Sequence, residues 1–221
     1  MKRNSLLVFG VALMLSACGG SATVVKTMHI RVADSAKVMT ILQATEKVME
    51  RRFAALKLKN ARASVVPTSA KTATLTLELP DAEAAEKMEA ILSEEFTFDI
   101  RIEKEKEGNV KDETLPSEWI PTAFTGSSLS WVQAVGNKNT GRVAIELQFT
   151  EQGRTVIQSI FRENVGKNIG IFVRSQLMST FTITDPNIGD TIAIGGAPSA
   201  SIAEVFADDV NMGLLVNFTN P

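Results

Sequence analysis

Side chains that could act as nucleophiles, general bases or metal ligands are scarce in this 221-residue chain. His29 is the single histidine, Cys18 is the single cysteine, and tyrosine is absent. His29 falls on the exposed phase of a short alternating run, and a metal site or a serine–histidine pair needs several converging groups. We therefore expect no catalytic or metal-binding role for His29.

Two glycine-containing stretches have the composition of anion sites. Residues 164–168, Asn-Val-Gly-Lys-Asn, lack the earlier glycine and the following Ser or Thr of a phosphate loop, so we interpret them as a helix C-terminus. Gly195 and Gly196 precede a predicted helix, whose free amides could receive an anion. No strand-anchored fingerprint surrounds this pair, and a simple turn is the better interpretation.

The remaining candidates are acidic pairs and tryptophans. The pairs at 94–95 and 208–209 are typical of a solvated helix surface. Trp119 and Trp131 could anchor a peptide, although tryptophan more often serves as partly buried packing. The sequence therefore predicts a non-enzymatic protein that uses no cofactor and no metal.

The N-terminal residues have the composition of an export signal. Lys2 and Arg3 are followed by an apolar run from Ser5 to Leu15 that is short for a bilayer span. The run leads into Leu-Ser-Ala-Cys-Gly-Gly at 15–20, which resembles the lipobox of bacterial lipoproteins. The resemblance implies a signal peptide at 1–17 and a palmitate-type lipid on Cys18. The alternative is an ordinary signal peptide with an Ala-x-Cys cleavage site.

The same region predicts where the protein resides. No later segment has the length and apolarity of a membrane span, so the lipid is the expected anchor. Gly19 and Gly20 are not aspartate, which in lipoproteins resembles a signal for the periplasmic face of the outer membrane if the source has two membranes. The net charge is −2 and there is no basic block, so no nucleic-acid partner is expected.

The stretch from Gly141 to Val173 changes hydrophobic period twice. Its apolar residues alternate as far as Phe149, follow helical spacing next, and alternate again beyond Gly166. Thr150 is the predicted N-cap of the helix, and Gly166 is its predicted stop. The pattern predicts a strand, a helix and a strand, with no reactive group among them.

The order of patterns between residues 27 and 103 predicts a ferredoxin-like βαββαβ base domain. Strands are predicted at 28–32, 61–66, 72–79 and 96–102, with helices after Asp34 and after Pro80. A tether of small residues at 18–26 is predicted to precede this domain.

A second, smaller α+β domain is predicted at 119–221, after a charged linker or hinge at 104–118. Its last helix is expected from about Ser199 to Asn211, where Ser201 and Glu204 have capping-box spacing. Gly213 is expected to stop that helix, and a final strand is expected at 214–218. The predicted fold class is therefore α+β, with a base followed by this smaller domain.

The second domain resembles the head of the first periplasmic domain of SecD, a membrane protein that assists preprotein export. The motifs that carry the resemblance are Phe-Thr-Gly-Ser-Ser-Leu at 124–129, Thr-Gly-Arg at 140–142, Leu-Gln-Phe-Thr at 147–150 with Gly153, Asn-Val-Gly-Lys at 164–167, Ile-Gly-Gly at 194–196 and Gly-Leu-Leu at 213–215. The first domain resembles the SecD base more loosely, at 44–56, 75–80 and 96–102.

Two departures limit what the resemblance implies. SecD continues into membrane helices that are thought to couple proton flow to head movement, whereas this sequence ends at Pro221. Residues 173–175 and 179–181 read Val-Arg-Ser and Ser-Thr-Phe where SecD usually has Leu-Asp-Gly and Ser-Ala-Pro. Proton coupling is therefore not carried over. What the resemblance implies is a base and a head, joined by a hinge, that hold unfolded polypeptide.

Two functions are compatible with these observations. The first is a lipid-anchored module that assists exported polypeptides, or binds Sec translocon components, at the membrane surface. The second is a structural envelope lipoprotein that reuses the fold as a scaffold for one fixed partner, because a fold does not determine a function.

Overall fold

The structure is a computed structural model that describes residues 20–104, 118–136 and 143–221. The predicted signal peptide, the predicted lipid site at Cys18 and the interior of the predicted linker lie outside the described residues. The described elements, in chain order, are β1 (Ala22–Ile30), α1 (Ala36–Ala55), β2 (Arg62–Pro67), β3 (Thr72–Leu79), α2 (Ala82–Ser93), β4 (Phe98–Glu103), β5 (Trp119–Thr125), a 3-10 turn (Gly126–Ser128), β6 (Leu129–Gly136), β7 (Val143–Phe149), α3 (Glu151–Glu163), β8 (Asn168–Val173), β9 (Gln176–Thr182), β10 (Thr191–Ala197), α4 (Ala200–Leu215) and β11 (Val216–Thr219).

The base is one antiparallel sheet packed against α1 and α2. Its strand order is β11-β1-β3-β2, which is the ferredoxin-like arrangement. Alternation along β3 points Leu75 and Leu77 inward, where both side chains are fully buried with Met28 of β1. Ile41 of α1 and Met88 of α2 close the same core.

The fourth strand of the base sheet comes from the end of the chain. The prediction that residues 96–102 fill this place is wrong, because β4 pairs with β5 and β8 instead. β11 takes the place beside β1, in a register that runs from Thr27 opposite Thr219 to Ile30 opposite Val216. Alternation in Phe98, Ile100 and Ile102 predicts a strand but not which sheet it joins. The head is therefore inserted between α2 and β11.

The head consists of two sheets that enclose a second core. One sheet has the order β5-β4-β8-β9, and the other has the order β10-β7-β6. Phe124, Leu147, Ile157 and Ile169 are fully buried in this core, and Phe124 meets Phe149 edge to face with ring centroids 5.6 Å apart. The prediction of an α+β fold is confirmed.

Helix α4 belongs to both cores. Ala207 and Val210 are buried in the head core, whereas Met212 and Leu215 are buried in the base core. Between them, the side-chain amide of Asn211 pairs with the backbone of β6: its Oδ1 accepts from Val132 N at 2.9 Å, and its Nδ2 donates to Val132 O at 2.6 Å. This pairing satisfies buried edge groups of β6 that no strand covers.

Three local predictions on the described residues need correction. Residues 22–26, predicted as tether, lie within β1 because Val24 buries its side chain in the base core and Ala22 pairs with Leu79 of β3. The N-cap of α4 is Ser199, whose hydroxyl accepts from Ile202 N, and not Ser201. Gly213 does not end that helix, which continues to Leu215.

The ends of the predicted linker are held together. Lys104 N donates to the carbonyl oxygen of Glu118 at 2.8 Å, and the two side chains form an ion pair at 2.6 Å. Lys104 therefore lowers the pKa of the Glu118 carboxyl. Because β4 pairs directly with β5, these ends belong to one sheet of the head and do not separate base from head.

The predicted strand–helix–strand unit is present as β7, α3 and β8. Thr150 caps α3 by accepting from Gly153 N at 3.0 Å, as predicted. Gly166 follows the helix with φ of +88°, in the left-handed region that favours glycine. None of the helices among the described residues is long and apolar enough to cross a membrane.

Removal of the Asn211 amide tests how strongly α4 holds the head. We expect Asn211→Ala to lower the free energy of unfolding by about 2–4 kcal/mol, because it leaves a buried N–H and C=O without partners. Urea unfolding followed by circular dichroism measures the change. The control is Asn217→Ala in β11, at an exposed position, which should stay within about 0.5 kcal/mol of the wild type. Equal stabilities for the two variants would contradict the role of Asn211.

Candidate functional site: a cleft between base and head

A cleft of about 860 Å³ lies where the head meets the base. This volume falls within the range of protein ligand sites. The base contributes Arg31, Arg52, residues 91–93 at the end of α2, and residues 216–218 of β11. The connection at 94–97 and the start of β4 line it as well, and the remaining lining residues are Thr125, Gly126, Ser127, Leu129, Thr150, Arg174 and residues 212–215 of α4.

The head side of the cleft is built from two of the motifs described above. Ser128, in the motif at 124–129, offers its carbonyl oxygen to Thr150, whose N–H donates at 3.0 Å and whose hydroxyl lies 3.3 Å away. Thr125 and Ser128 cap the 3-10 turn reciprocally. The threonine and serine residues of these motifs thus join the turn to the start of α3.

Glycines in the same motifs permit this close approach. A side chain at Gly153 would overlap the backbone carbonyl of Ser128, and one at Gly126 would overlap the Leu214 side chain. Gly213 has the same role within α4, because the ring of Phe96 lies against it. Gly213 was expected to stop the helix, but its lack of a side chain instead allows the head connection to pass close by.

The centre of the cleft combines an aromatic ring with guanidinium groups. Arg174 lies over Phe96, with its guanidinium carbon 5.4 Å from the ring centroid, and forms an ion pair with Glu94 at 3.7 Å. Arg31 donates from Nη2 to the carbonyl oxygen of Leu214 at 2.8 Å. The guanidinium group of Arg52 makes no hydrogen bond or ion pair with the described residues. Burial, reinforced by the nearby Arg174 charge, lowers the pKa of Arg52.

The lining of the cleft has groups that suit a bound ligand. The lining offers apolar side chains and nitrogen donors but no histidine or cysteine. Among the described residues, no three His, Cys, Asp or Glu side chains are grouped as metal ligands. An extended peptide has the matching groups, since its side chains can contact Phe96 and its carbonyl oxygens can accept from arginine.

The residues singled out from sequence are dispersed. His29 lies at 3.2 Å from the Thr219 hydroxyl on an exposed part of the base. Gly195 and Gly196 form a bulge in β10 and are not adjacent to the start of α4. Trp131 is buried in the base core beneath Lys37, 4.8 Å from the ring centroid.

One acidic pair differs from its interpretation as solvated surface. Asp208 and Asp209 of α4 form ion pairs with Arg51 of α1, with nitrogen–oxygen distances of 3.3 Å and 3.4 Å. The side chain of Asp208 is only 19% exposed. The pair therefore connects head and base. Arg52, Arg174 and Phe96 were missed by the sequence analysis because they are far apart in the chain and form no spaced motif.

Comparison with known proteins identifies the head. Residues 108–216 match the family model described as SecDF, P1 head subdomain. A structure of SecDF from Thermus thermophilus, described as a translocon-associated membrane protein, aligns with TM-score 0.51 at 20% identity over 91% of this chain and 30% of its own. SecDF in a super-membrane-facing form aligns with TM-score 0.50 at 20% identity, over 90% of this chain and 29% of its own.

These alignments show a shared fold, and the chain spans less than a third of the length of either SecDF structure. No curated protein matches the sequence. The predicted resemblance to a SecD-type periplasmic domain is confirmed.

A substitution at Gly153 tests the contact between the two motifs. We expect Gly153→Ala to destabilise the head by more than about 2 kcal/mol, because the new methyl group meets the rigid backbone of Ser128. Gly→Ala at a free helical site would instead stabilise by up to about 1 kcal/mol. The matched control is Gly189→Ala, where no atom lies within 4 Å. Thermal unfolding of both variants measures the difference, and a neutral Gly153→Ala would refute the contact.

Proposed function

Since this chain is a SecD-like periplasmic domain with a SecDF P1 head subdomain at 108–216, we propose that it is a non-enzymatic accessory of protein export that binds exported polypeptides. The single observation that carries the proposal is the cleft, because its lining includes residues of the motifs that the head shares with SecD. The solved relative is described as translocon-associated, which supports a Sec translocon component as a further partner.

The cleft is suited to an unfolded chain rather than to a folded surface. Phe96 and Leu92 provide apolar contact, and Arg31, Arg52 and Arg174 provide donors for carbonyl or carboxylate oxygens. Few of these contacts depend on one side-chain sequence, so many different polypeptides fit.

Movement of the head would require energy from binding. The head is held to the base by the shared helix α4 and by Arg51 with Asp208 and Asp209. A polypeptide shifts the head only if it binds the displaced arrangement more tightly than the docked one. Ion flow has no part in this proposal.

A lipid on Cys18 would hold the base close to a membrane. β1 begins at Ala22, so the four residue steps from Cys18 span at most about 14 Å. The cleft lies near Arg31, at the opposite end of β1, and nine residues of strand extend about 27 Å. We infer that the anchored protein presents its cleft away from the lipid surface, at the periplasmic face of the outer membrane if there are two membranes.

A specific observation also favours the alternative, a structural lipoprotein that scaffolds one fixed partner. Because α4 contributes to both cores, the head and base behave as a single packed unit unless those contacts break. A rigid scaffold needs no head movement. Affinity purification that recovers one stoichiometric partner, with normal secretion in a deletion strain, would favour this alternative.

Crosslinking in cells tests the export function. We expect a photoreactive amino acid at Ser127, exposed at the cleft, to crosslink to many exported polypeptides during secretion. The control is the same group at Val66, which is 58% exposed on β2 and outside the cleft. Mass spectrometry identifies the products. Equal products from the two positions, or recovery only of abundant envelope proteins unrelated to export, would oppose the proposal.

Lipidation has its own test. We expect Cys18→Ala to release the protein from membranes and to abolish fatty-acid labelling, because the thiol that carries the lipid is lost. Membrane fractionation and labelling with an alkyne palmitate measure both effects. Persistence of either one in the variant would refute a lipid on Cys18.

A further inference from the structure

We propose that the cleft selects polypeptide segments that carry an acidic side chain, and that the guanidinium group of Arg52 binds the carboxylate. The inference rests on the proposed polypeptide binding and adds the chemical class of the preferred segment. This preference is expected because most carboxylates in and around the cleft already form ion pairs with arginines other than Arg52.

Arg52 lies in the last turn of α1, and its guanidinium group has no hydrogen-bond or ion-pair partner among the described residues. Two carboxylates are near enough to affect it electrostatically, those of Asp209 and Glu94. Each carboxylate forms an ion pair with another arginine. Arg51 Nη2 lies 3.4 Å from Asp209 Oδ1, and Arg174 Nη1 lies 3.7 Å from Glu94 Oε2.

Among the described residues, three arginines and three carboxylates line the cleft, and two of these carboxylates are engaged in ion pairs. Asp99 is engaged by Arg101, whereas Arg31 is bonded only to the neutral carbonyl of Leu214. Glu95 also lines the cleft, on an exposed stretch. In the described lining, Arg31 and Arg52 thus lack a carboxylate partner, and Glu95 is the one carboxylate without an arginine partner.

A carboxylate is the group that Arg52 fits best. Guanidinium presents a planar set of donors that matches two carboxylate oxygens, and partial burial strengthens the pairing relative to water. Arg52 is partly buried in the free protein, so its guanidinium group has already lost part of its hydration, and this burial lowers its pKa. An acidic ligand thus supplies charged acceptors to a guanidinium group that has no protein partner among the described residues, while apolar neighbours in the same peptide contact Phe96.

Peptide binding to the full-length lipoprotein in detergent tests the selection. The probes are two fluorescein-labelled unfolded peptides, identical in apolar sequence, with glutamate or glutamine at the centre. By fluorescence anisotropy we expect the glutamate peptide to bind about tenfold or more tightly, with a difference that shrinks as salt rises. Arg52→Gln should abolish the difference, and Arg52→Lys should keep part of it.

Arg62→Gln is the matched control, since it removes the same charge from an exposed site on β2 outside the cleft. Arg52→Glu should reverse the preference towards a peptide with a central lysine, which shows that the variant is folded and that the charge acts locally. Equal binding of both probes to the wild type, or an equal effect of Arg62→Gln, would overturn the selection alone. Binding of neither probe would overturn the proposed polypeptide binding as well.

Discussion

The arrangement of this protein depends on helix α4, which fills two cores and pairs its Asn211 amide with an unpaired edge of β6. A buried amide of this kind contributes little where it is satisfied, but its loss leaves two backbone groups without water or partner. The interaction therefore acts mainly as a constraint on position. It holds α4 against β6, and residues 212–215 of the same helix line the cleft.

The motifs that resemble those of the SecD head have a structural explanation. A side chain at Gly153 would meet the backbone of Ser128, one at Gly213 would meet the ring of Phe96, and one at Gly126 would have to displace the end of the Leu214 side chain. Thr150 joins the 3-10 turn to α3 by hydrogen bonds. In the described part of the chain, these three glycines of the motifs bring neighbouring segments close together. The proposed binding groups Arg52 and Phe96 come from outside these motifs, and the ring of Phe96 lies against Gly213 of one motif.

Insertion of the head into the base fold gives the cleft two covalent boundaries. One is the connection at 94–97, which leaves α2, and the other is the passage from α4 into β11. Both line the cleft. A ligand between base and head thus contacts the segments that any relative movement would have to bend, which gives binding a direct means of shifting that equilibrium.

Local features could be predicted from the sequence, because periodicity and capping act over a few residues: β7, α3 with its Thr150 cap, and β3 are examples. Strand partners could not, since the alternation in β4 suits either sheet, and the fourth base strand lies more than a hundred residues from the third. A glycine at position 213 is compatible with the end of a helix and also with a close contact. The tertiary structure shows the close contact, because the ring of Phe96 packs against Gly213. The pairing of charges around Arg52 could not be predicted from the sequence either. The two carboxylates near Arg52 are those of Asp209 and Glu94, and each forms an ion pair with an arginine that lies far from it in the sequence.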